Sequence, residues 1–290
     1  MKLLLLPVVA LLAVAAPAHA QTTVSLGLRL GGNLATRAGS DPSLPLLTNN
    51  GTPVPNTVQD YKRSALLAPQ FGAVLDVRFG KLAVQPAVLF SQKGVDQRLN
   101  ISNSNSSGNY TSTYNDQYHT VSRPNYLEIP INLVYTNGTD HGFQLFAGPY
   151  VAFGMGGRAE YENIRISTST SNSGYSGFGY SNSYSVGTSL FQYKDDYPGP
   201  PLSFFPYPNN NNNTSPTPFA ASSGYNIARR FDAGFNAGVG YRRGPLQVQL
   251  GYGLGLINQQ PNKAANLRDD LPAYYQRVAQ LTATYFMKVN

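Results

Sequence analysis

Cysteine is absent from the 290-residue sequence, which excludes disulfide scaffolds, thiolate metal sites, thiol catalysis and a lipobox anchor. Charged residues make up only 12% of the chain, against roughly 25% in an average soluble domain. Tryptophan is also missing, although 20 Tyr and 14 Phe bring the aromatic content to 12%. The 28 Gly and 21 Pro, with tracts of Ser and Asn, disfavour helix interiors. This composition argues against helix bundles and Rossmann-type folds.

Long hydrophobic runs are missing as well, since no segment reaches the about 20 apolar residues of a transmembrane helix. Lys2 precedes an apolar run over residues 3–16 and the small-residue motif Ala18-His19-Ala20. This pattern predicts a secretory signal peptide over residues 1–20, with 21–290 as the mature domain. The net charge is +7, but the basic residues are scattered, so we expect no nucleic-acid partner.

Period-2 alternation of apolar and polar residues marks eight segments of ten to twelve residues. Membrane-spanning strands need about 9–11 residues, whereas soluble strands are typically near 5–6. The length of the segments therefore favours a transmembrane barrel. The segments are 24–33, 69–79, 82–93, 125–135, 143–153, 231–241, 246–256 and 276–287.

Alternation by itself also fits a soluble barrel, so the connections decide between the two. They run 35, 2, 31, 7, 77, 4 and 19 residues, alternating long and short. Short periplasmic turns and long external loops are typical of outer-membrane proteins. We therefore predict an all-β fold: an eight-stranded antiparallel up-and-down transmembrane β-barrel. The predicted external loop insertions are 34–68, 94–124, 154–230 and 257–275.

Several charged residues fall on the polar face of these strands and are predicted to point into the lumen. An eight-stranded barrel is just wide enough to be filled by side chains, so these charges should plug it. We expect Arg29 and Asp76 to be diagonal neighbours, and Lys93 to lie near Glu128. The predicted lumen charge network is Arg29, Asp76, Arg78, Lys93, Glu128, Arg230 and Asp232.

Residues for catalysis or cofactor binding are scarce. The mature chain has only two histidines, His119 and His141, and neither has neighbours at metal-ligand spacing. The glycine-rich run 251–255 opens no helix and is therefore not a phosphate cradle. Its glycines should make room for large inward side chains from facing strands. We predict no catalytic residues, no cofactor and no metal.

Several short motifs in their observed order resemble the PorT-like outer-membrane β-barrel family. They are Gly27-Leu28-Arg29-Leu30-Gly31-Gly32-Asn33, Tyr126-Leu127-Glu128-Ile129-Pro130, Phe146-Ala147-Gly148-Pro149-Tyr150, Asp232-Ala233-Gly234-Phe235 and Ala283-Thr284-Tyr285-Phe286. The resemblance implies an eight-stranded barrel in the bacterial outer membrane. The chain departs from the family in its long fifth connection and in the residues 287–290 that follow the aromatic terminus.

The expected function is structural, adhesive or partner-binding, through the external loops and without catalysis. A small-solute, porin-like channel is the alternative, and a lipid-modifying barrel enzyme is a third candidate. Expected partners are outer-membrane lipid, the barrel-assembly machinery during insertion, and an extracellular or envelope protein.

Overall fold

The computed structural model describes residues 22–39, 48–49, 52–53, 56–138, 141–171, 178–193, 195, 226–261 and 273–288. Every regular element within these ranges is a β-strand. The strands are β1 (Thr22–Gly39), β2 (Thr48–Asn49), β3 (Thr52–Pro53), β4 (Thr57–Ser64), β5 (Leu66–Phe79), β6 (Leu82–Gln92), β7 (Val95–Ser107), β8 (Tyr110–Thr136), β9 (His141–Ser171), β10 (Phe178–Tyr193), β11 (Asn226–Ala228), β12 (Phe231–Arg243), β13 (Leu246–Gly255) and β14 (Tyr274–Lys288). No helix in these ranges has the length and hydropathy needed to span a membrane.

Each of the eight predicted segments coincides with a strand, namely β1, β5, β6, β8, β9, β12, β13 and β14. These strands pair antiparallel in chain order, and β14 pairs back with β1. The turns between them are short where the sequence predicts short turns. Gly80 and Gly244 begin two of these turns with φ of 62° and 57°, a conformation that glycine adopts at no steric cost.

The predicted loop insertions differ from the structure because much of their described length is strand. Strands β8 and β9 have 27 and 31 residues, so they continue well past the predicted segments. β7 and β4 extend the sheet on the β8 side, while β10 and the parallel strand β11 extend it beside β9. We call this part the sheet extension: β4, β7 and β10 with residues 110–123 of β8 and 156–171 of β9.

Three features stabilise the sheet extension despite its polar composition. Its Thr and Tyr residues favour strands, and Gly108 closes the β7–β8 hairpin with a φ of 58°. Its interior face also buries a small apolar cluster of Leu99, Ile101 and Tyr118. Much of the fifth connection, including residues 196–225, lies outside the described ranges, as does the predicted signal peptide.

Burial is inverted relative to a soluble protein, because large apolar side chains lie on the exposed face of the sheet. Leu28 and Leu250 are 62% and 57% exposed, and Leu75 and Ile131 belong to the same exposed set. Charged and amide side chains alternate with them and are buried. This arrangement is the one expected where the outer face meets lipid instead of water.

One bulge in β9 reverses which residues, odd-numbered or even-numbered, face outward. The register shifts between Asn125 and Tyr126 of β8, so that Tyr126 pairs with Gly154 and Asn125 with Gly156. Met155 is the additional residue, and its side chain is exposed. Beyond this bulge the even-numbered residues of β9 lie on the outer face, including Arg158 opposite Arg123.

Candidate functional site

The interior of the strand ring holds a buried ion-pair cluster near the end from which the sheet extension rises. Lys93 follows β6, Glu128 lies on β8 and Asp232 on β12, and all three are at most 1% exposed. The Lys93 Nζ atom is 3.0 Å from Glu128 Oε2 and 3.2 Å from Asp232 Oδ2. Buried charges are tolerated only when they are paired in this way. We call these three residues the upper cluster.

Aromatic and amide groups surround the upper cluster. The Lys93 Nζ atom lies 5.1 Å and 4.7 Å from the ring centroids of Tyr126 and Tyr150, within the range of cation–π attraction. The Tyr150 hydroxyl donates a hydrogen bond to Asp232 Oδ2 at 3.1 Å, and Gln259 Nε2 donates to Asp232 Oδ1 at 3.3 Å. The charges are therefore embedded in a hydrogen-bonded aromatic shell.

Tyr193, the last residue of β10, packs against this shell from above. Its ring makes an edge contact with Tyr126, with centroids 5.6 Å apart. Its hydroxyl donates to the backbone oxygens of Asn125 at 3.0 Å and Gly156 at 3.3 Å. Gly154 is required here, because a Cβ at that position would lie 2.3 Å from the Tyr193 ring. Part of the long fifth connection thus returns to the mouth of the strand ring.

A second charged group lies near the short turns at the opposite end. Asp76 accepts a hydrogen bond from Arg242 NH1 at 2.6 Å and one from Gln85 Nε2 at 2.9 Å. Arg78 Nε is 3.4 Å from the same carboxylate. We call Asp76, Arg78 and Arg242 the lower cluster. Its position follows from the turns, because Arg78 and Arg242 each lie two residues before a turn glycine.

Arg29 lies between the two clusters, and the prediction that it neighbours Asp76 is wrong. The β1–β5 register places Ser25 opposite Asp76 and Arg29 opposite Gly72. A four-residue offset separates positions on a strand by about 13 Å. Arg29 donates instead to Thr284 Oγ1 at 3.0 Å and to Gln249 Oε1 at 2.9 Å. The length of the connection between β1 and β5 left this register undetermined by the sequence.

A small polar cavity lies beside Arg29 at mid-height. Its lining includes Glu128, Asn132, Asn236 and Gln249, and it has room for about one water molecule. Gly251 also borders it, where an added Cβ would lie 2.8 Å from Phe146 Cζ. The interpretation that this glycine makes room for a large inward side chain is confirmed. Around Arg29, side chains thus leave only this small space.

Six of the seven predicted charges are buried in this interior: Arg29, Asp76, Arg78, Lys93, Glu128 and Asp232. Arg230 differs from the prediction, because it lies at a bend before β12 begins and its side chain is exposed. The alternation of inward and outward residues holds only within a strand, so it does not predict the direction of Arg230, which precedes the first residue of β12. The same alternation, continued past residue 241, would have identified Arg242, which the sequence reasoning missed.

Amide side chains were also missed. Gln85 and Gln247 exchange hydrogen bonds of 3.0 and 3.2 Å near the lower cluster, while Gln249 binds Arg29. Glutamine carries no charge, and so it did not stand out in the sequence. Within the part of the chain that the structure describes, no group of three or more His, Cys, Asp or Glu is arranged to hold a metal ion.

The sheet extension carries a partly buried ion pair of its own. Arg165 on β9 forms a two-pronged contact with the Asp116 carboxylate on β8, with both N–O distances at 2.5 Å. This hydrogen bonding raises the pKa of Arg165. Burial, with a smaller contribution from Asp116, raises the pKa of Tyr118 to about 12. The pair links β8 to β9 well beyond the strand ring.

The sequence matches the family described as outer membrane protein beta-barrel domain over residues 19–259. No protein with a curated description matches it. Among solved structures, the CymD monoaromatic hydrocarbon channel is 9% identical, with 91% of this chain and 88% of that chain covered and a TM-score of 0.17. The Pseudomonas aeruginosa protein OpdQ is 8% identical, with 93% and 98% covered and a TM-score of 0.10.

These TM-scores are too low for the two solved structures to support any conclusion about fold or substrate. The family match, in contrast, covers most of the sequence and agrees with the antiparallel sheet and its exposed apolar face. The chain belongs to the outer-membrane β-barrel family and resides in the outer membrane.

Proposed function

We propose that the chain is an eight-stranded barrel with a closed lumen whose sheet extension binds a partner or a surface outside the cell. The observation that supports this best is the length of β8 and β9. About 10 residues of each suffice to cross the membrane. The 16 residues from Tyr110 to Asn125 of β8 are about 50 Å long and would rise about 40 Å further at the usual strand tilt.

The outer face of β10 gives this extension a contact surface. Tyr180, Tyr184, Val186 and Leu190 alternate along β10, so their side chains share one face, and each is mostly exposed. Tyrosine rings provide large, rigid contact area at low cost in conformational entropy. A row of exposed Tyr and aliphatic side chains therefore suits adhesion or protein binding. The partner class we propose is an extracellular or envelope protein.

The filled interior favours this role over a porin-like channel. The upper cluster, Arg29 and the lower cluster occupy successive heights of the ring, and an eight-stranded barrel has no spare width. Catalysis is not part of the proposal. Among the described residues, the ion-pair partners of the His119 ring are the carboxylates of Asp96 at 3.1 Å and Glu162 at 3.6 Å.

We propose that residues 1–20 direct export and are removed, and that the barrel-assembly machinery inserts the strands. The PorT-like resemblance belongs to the proposal as well. With an even number of strands, both chain termini of the barrel and the short turns would lie on the periplasmic side.

Planar-bilayer recordings and a binding assay test the two halves of the proposal. We expect the purified wild type to give no steady conductance, and a steady conductance would favour the channel instead. Whole cells carrying the double variant Tyr180→Ser/Tyr184→Ser should lose attachment or partner binding. Tyr110→Ser, at the tip of the β7–β8 hairpin, is the matched control because Tyr110 is also exposed. Equal losses in both variants, or none, would refute a β10 contact surface.

A further inference from the structure

Two arginines face each other across β8 and β9 on the outer face of the sheet. Arg123 pairs directly with Arg158 in the register, and both side chains lie on the same side as the apolar outer residues. Like charges placed directly opposite each other destabilise a sheet. Such a pair is explained when an anion lies between the two guanidinium groups.

The height of this pair matches the boundary of the apolar band. On β8, the outward residues from Tyr135 back to Leu127 are all apolar or aromatic, and the outward residues Asn125 and Arg123 precede Leu127 by two and four positions. The 12 residues between Tyr135 and Arg123 rise about 30 Å at the usual strand tilt, whereas the apolar band of such barrels is about 25 Å tall. The pair therefore lies at the level of the lipid headgroups if the barrel spans the membrane as proposed.

The charges around the pair leave one cation unbalanced. Arg158 Nε is 3.2 Å from Glu160 Oε1 in an exposed ion pair. Arg123 has no carboxylate partner among the residues that the structure describes, and its Nε atom is buried without a hydrogen bond. Because the Nε atom is buried, a phosphate would meet the two Nη groups of Arg123, which are not among the buried unpaired atoms and can present parallel N–H donors.

One glycine keeps the space next to the pair open. Gly156 lies directly below Arg158 on the side of the apolar band, and a Cβ there would meet nothing within 4 Å. Exposed Met155 and Phe153 follow toward mid-membrane. A lipid could thus place its acyl chains against these side chains and its headgroup against the arginines.

We propose that Arg123 and Arg158 bind the phosphate of a lipid headgroup in the outer leaflet. This inference rests on the proposed membrane topology. It assigns a lipid site to the outer wall of the barrel, separate from both interior clusters. The site adjoins the membrane-facing end of the β10 contact surface, where Leu190 pairs with Arg158.

Native mass spectrometry of the full chain in a neutral detergent tests this site. The probes are phosphatidic acid, whose headgroup is a bare phosphate, and phosphatidylcholine with the same acyl chains. The wild type should retain phosphatidic acid preferentially, with about a fivefold contribution from each arginine near the surface. Arg123→Gln and Arg158→Gln should each lose their share of the preference, while Arg123→Lys should keep most of it.

Arg98→Gln is the matched control, because Arg98 lies on the outer face further from the band and is paired with Asp96. An unchanged preference in Arg123→Gln, or an equal loss in Arg98→Gln, would overturn the proposal. Displacement of phosphatidic acid by millimolar inorganic phosphate would also overturn it, since the site would then take free phosphate. Vesicle flotation tests membrane insertion separately from the lipid site. A wild type that floats with vesicles but shows no preference for phosphatidic acid refutes the lipid site and leaves the proposed membrane topology standing.

Discussion

Replacing Lys93 with methionine should destabilise the barrel strongly. The substitution keeps the length of the side chain but leaves Glu128 and Asp232 buried without the cation that lies 3.0 and 3.2 Å from them. Breaking a buried ion pair by removing one partner costs about 3–5 kcal/mol. At 1.4 kcal/mol per factor of ten, we expect the folding equilibrium to shift by at least about two powers of ten.

A matched control exists in the same chain. Lys62 forms an ion pair with Asp60 at the same 3.2 Å, but its side chain is 70% exposed. Exposed pairs are worth about 0–1 kcal/mol, so Lys62→Met should be nearly neutral. Burial, and not the presence of an ion pair, is the cause of the expected difference between the two variants.

The assay is urea unfolding of the barrel in detergent micelles or vesicles. The unfolded fraction is measured from the difference in gel mobility between folded and unfolded chains. The triple variant Lys93→Met/Glu128→Gln/Asp232→Asn removes all three charges and should recover much of the lost stability, since no isolated buried charge remains. Equal stability of Lys93→Met and Lys62→Met would refute the reasoning. A triple variant less stable than Lys93→Met would refute it as well.

Three further predictions concern other parts of the molecule. Leu250→Arg should lower the free energy of unfolding in vesicles by about 2–4 kcal/mol, because Leu250 faces lipid near mid-membrane. Urea unfolding measures this loss. Asp116→Asn should weaken its contact with Arg165, and hydrogen exchange should rise in the outer parts of β8 and β9 while the strand ring stays protected. Gly251→Val should destabilise the barrel through overpacking against Phe146, whereas Gly251→Val combined with Phe146→Ala should recover part of the loss, by the same unfolding assay.

Each of these predictions has a contradicting outcome. Unchanged stability of Leu250→Arg in vesicles would indicate that the exposed face meets water. Faster exchange throughout the strand ring in Asp116→Asn would mean that the sheet extension does not open separately. Additive losses in the Gly251 and Phe146 variants would show that the two residues do not compete for the same space.

Local periodicity was enough to locate the eight strands of the ring. Alternation with period 2 depends only on neighbouring residues, so Leu28 and Arg29 could be assigned to opposite faces before any pairing was known. The short turns at Gly80 and Gly244 likewise depend on local backbone preferences. The proximity of Lys93 and Glu128 was predictable because their strands are adjacent.

Polarity misled the sequence reasoning in the sheet extension. The segments 94–124 and 154–230 are rich in Ser, Asn and Gly, which are typical of loops. The strands β7, β8, β9 and β10 nevertheless pair with one another, and their backbone hydrogen bonds stabilise these segments although the side chains are polar. Such pairing is a property of the assembled sheet and leaves only a weak local signal.

Within the eight predicted segments, the sequence by itself determined which residues face inward, because that choice is set by strand period and by the identity of each side chain. Only the tertiary structure decided which inward residues meet. Asp232 reaches Lys93 from 139 positions away, and Arg29 binds Gln249 instead of Asp76, because strand register and ring closure set these contacts. Tyr193 reaches the mouth of the ring for the same reason: long-range packing places it there, and no local pattern encodes that return.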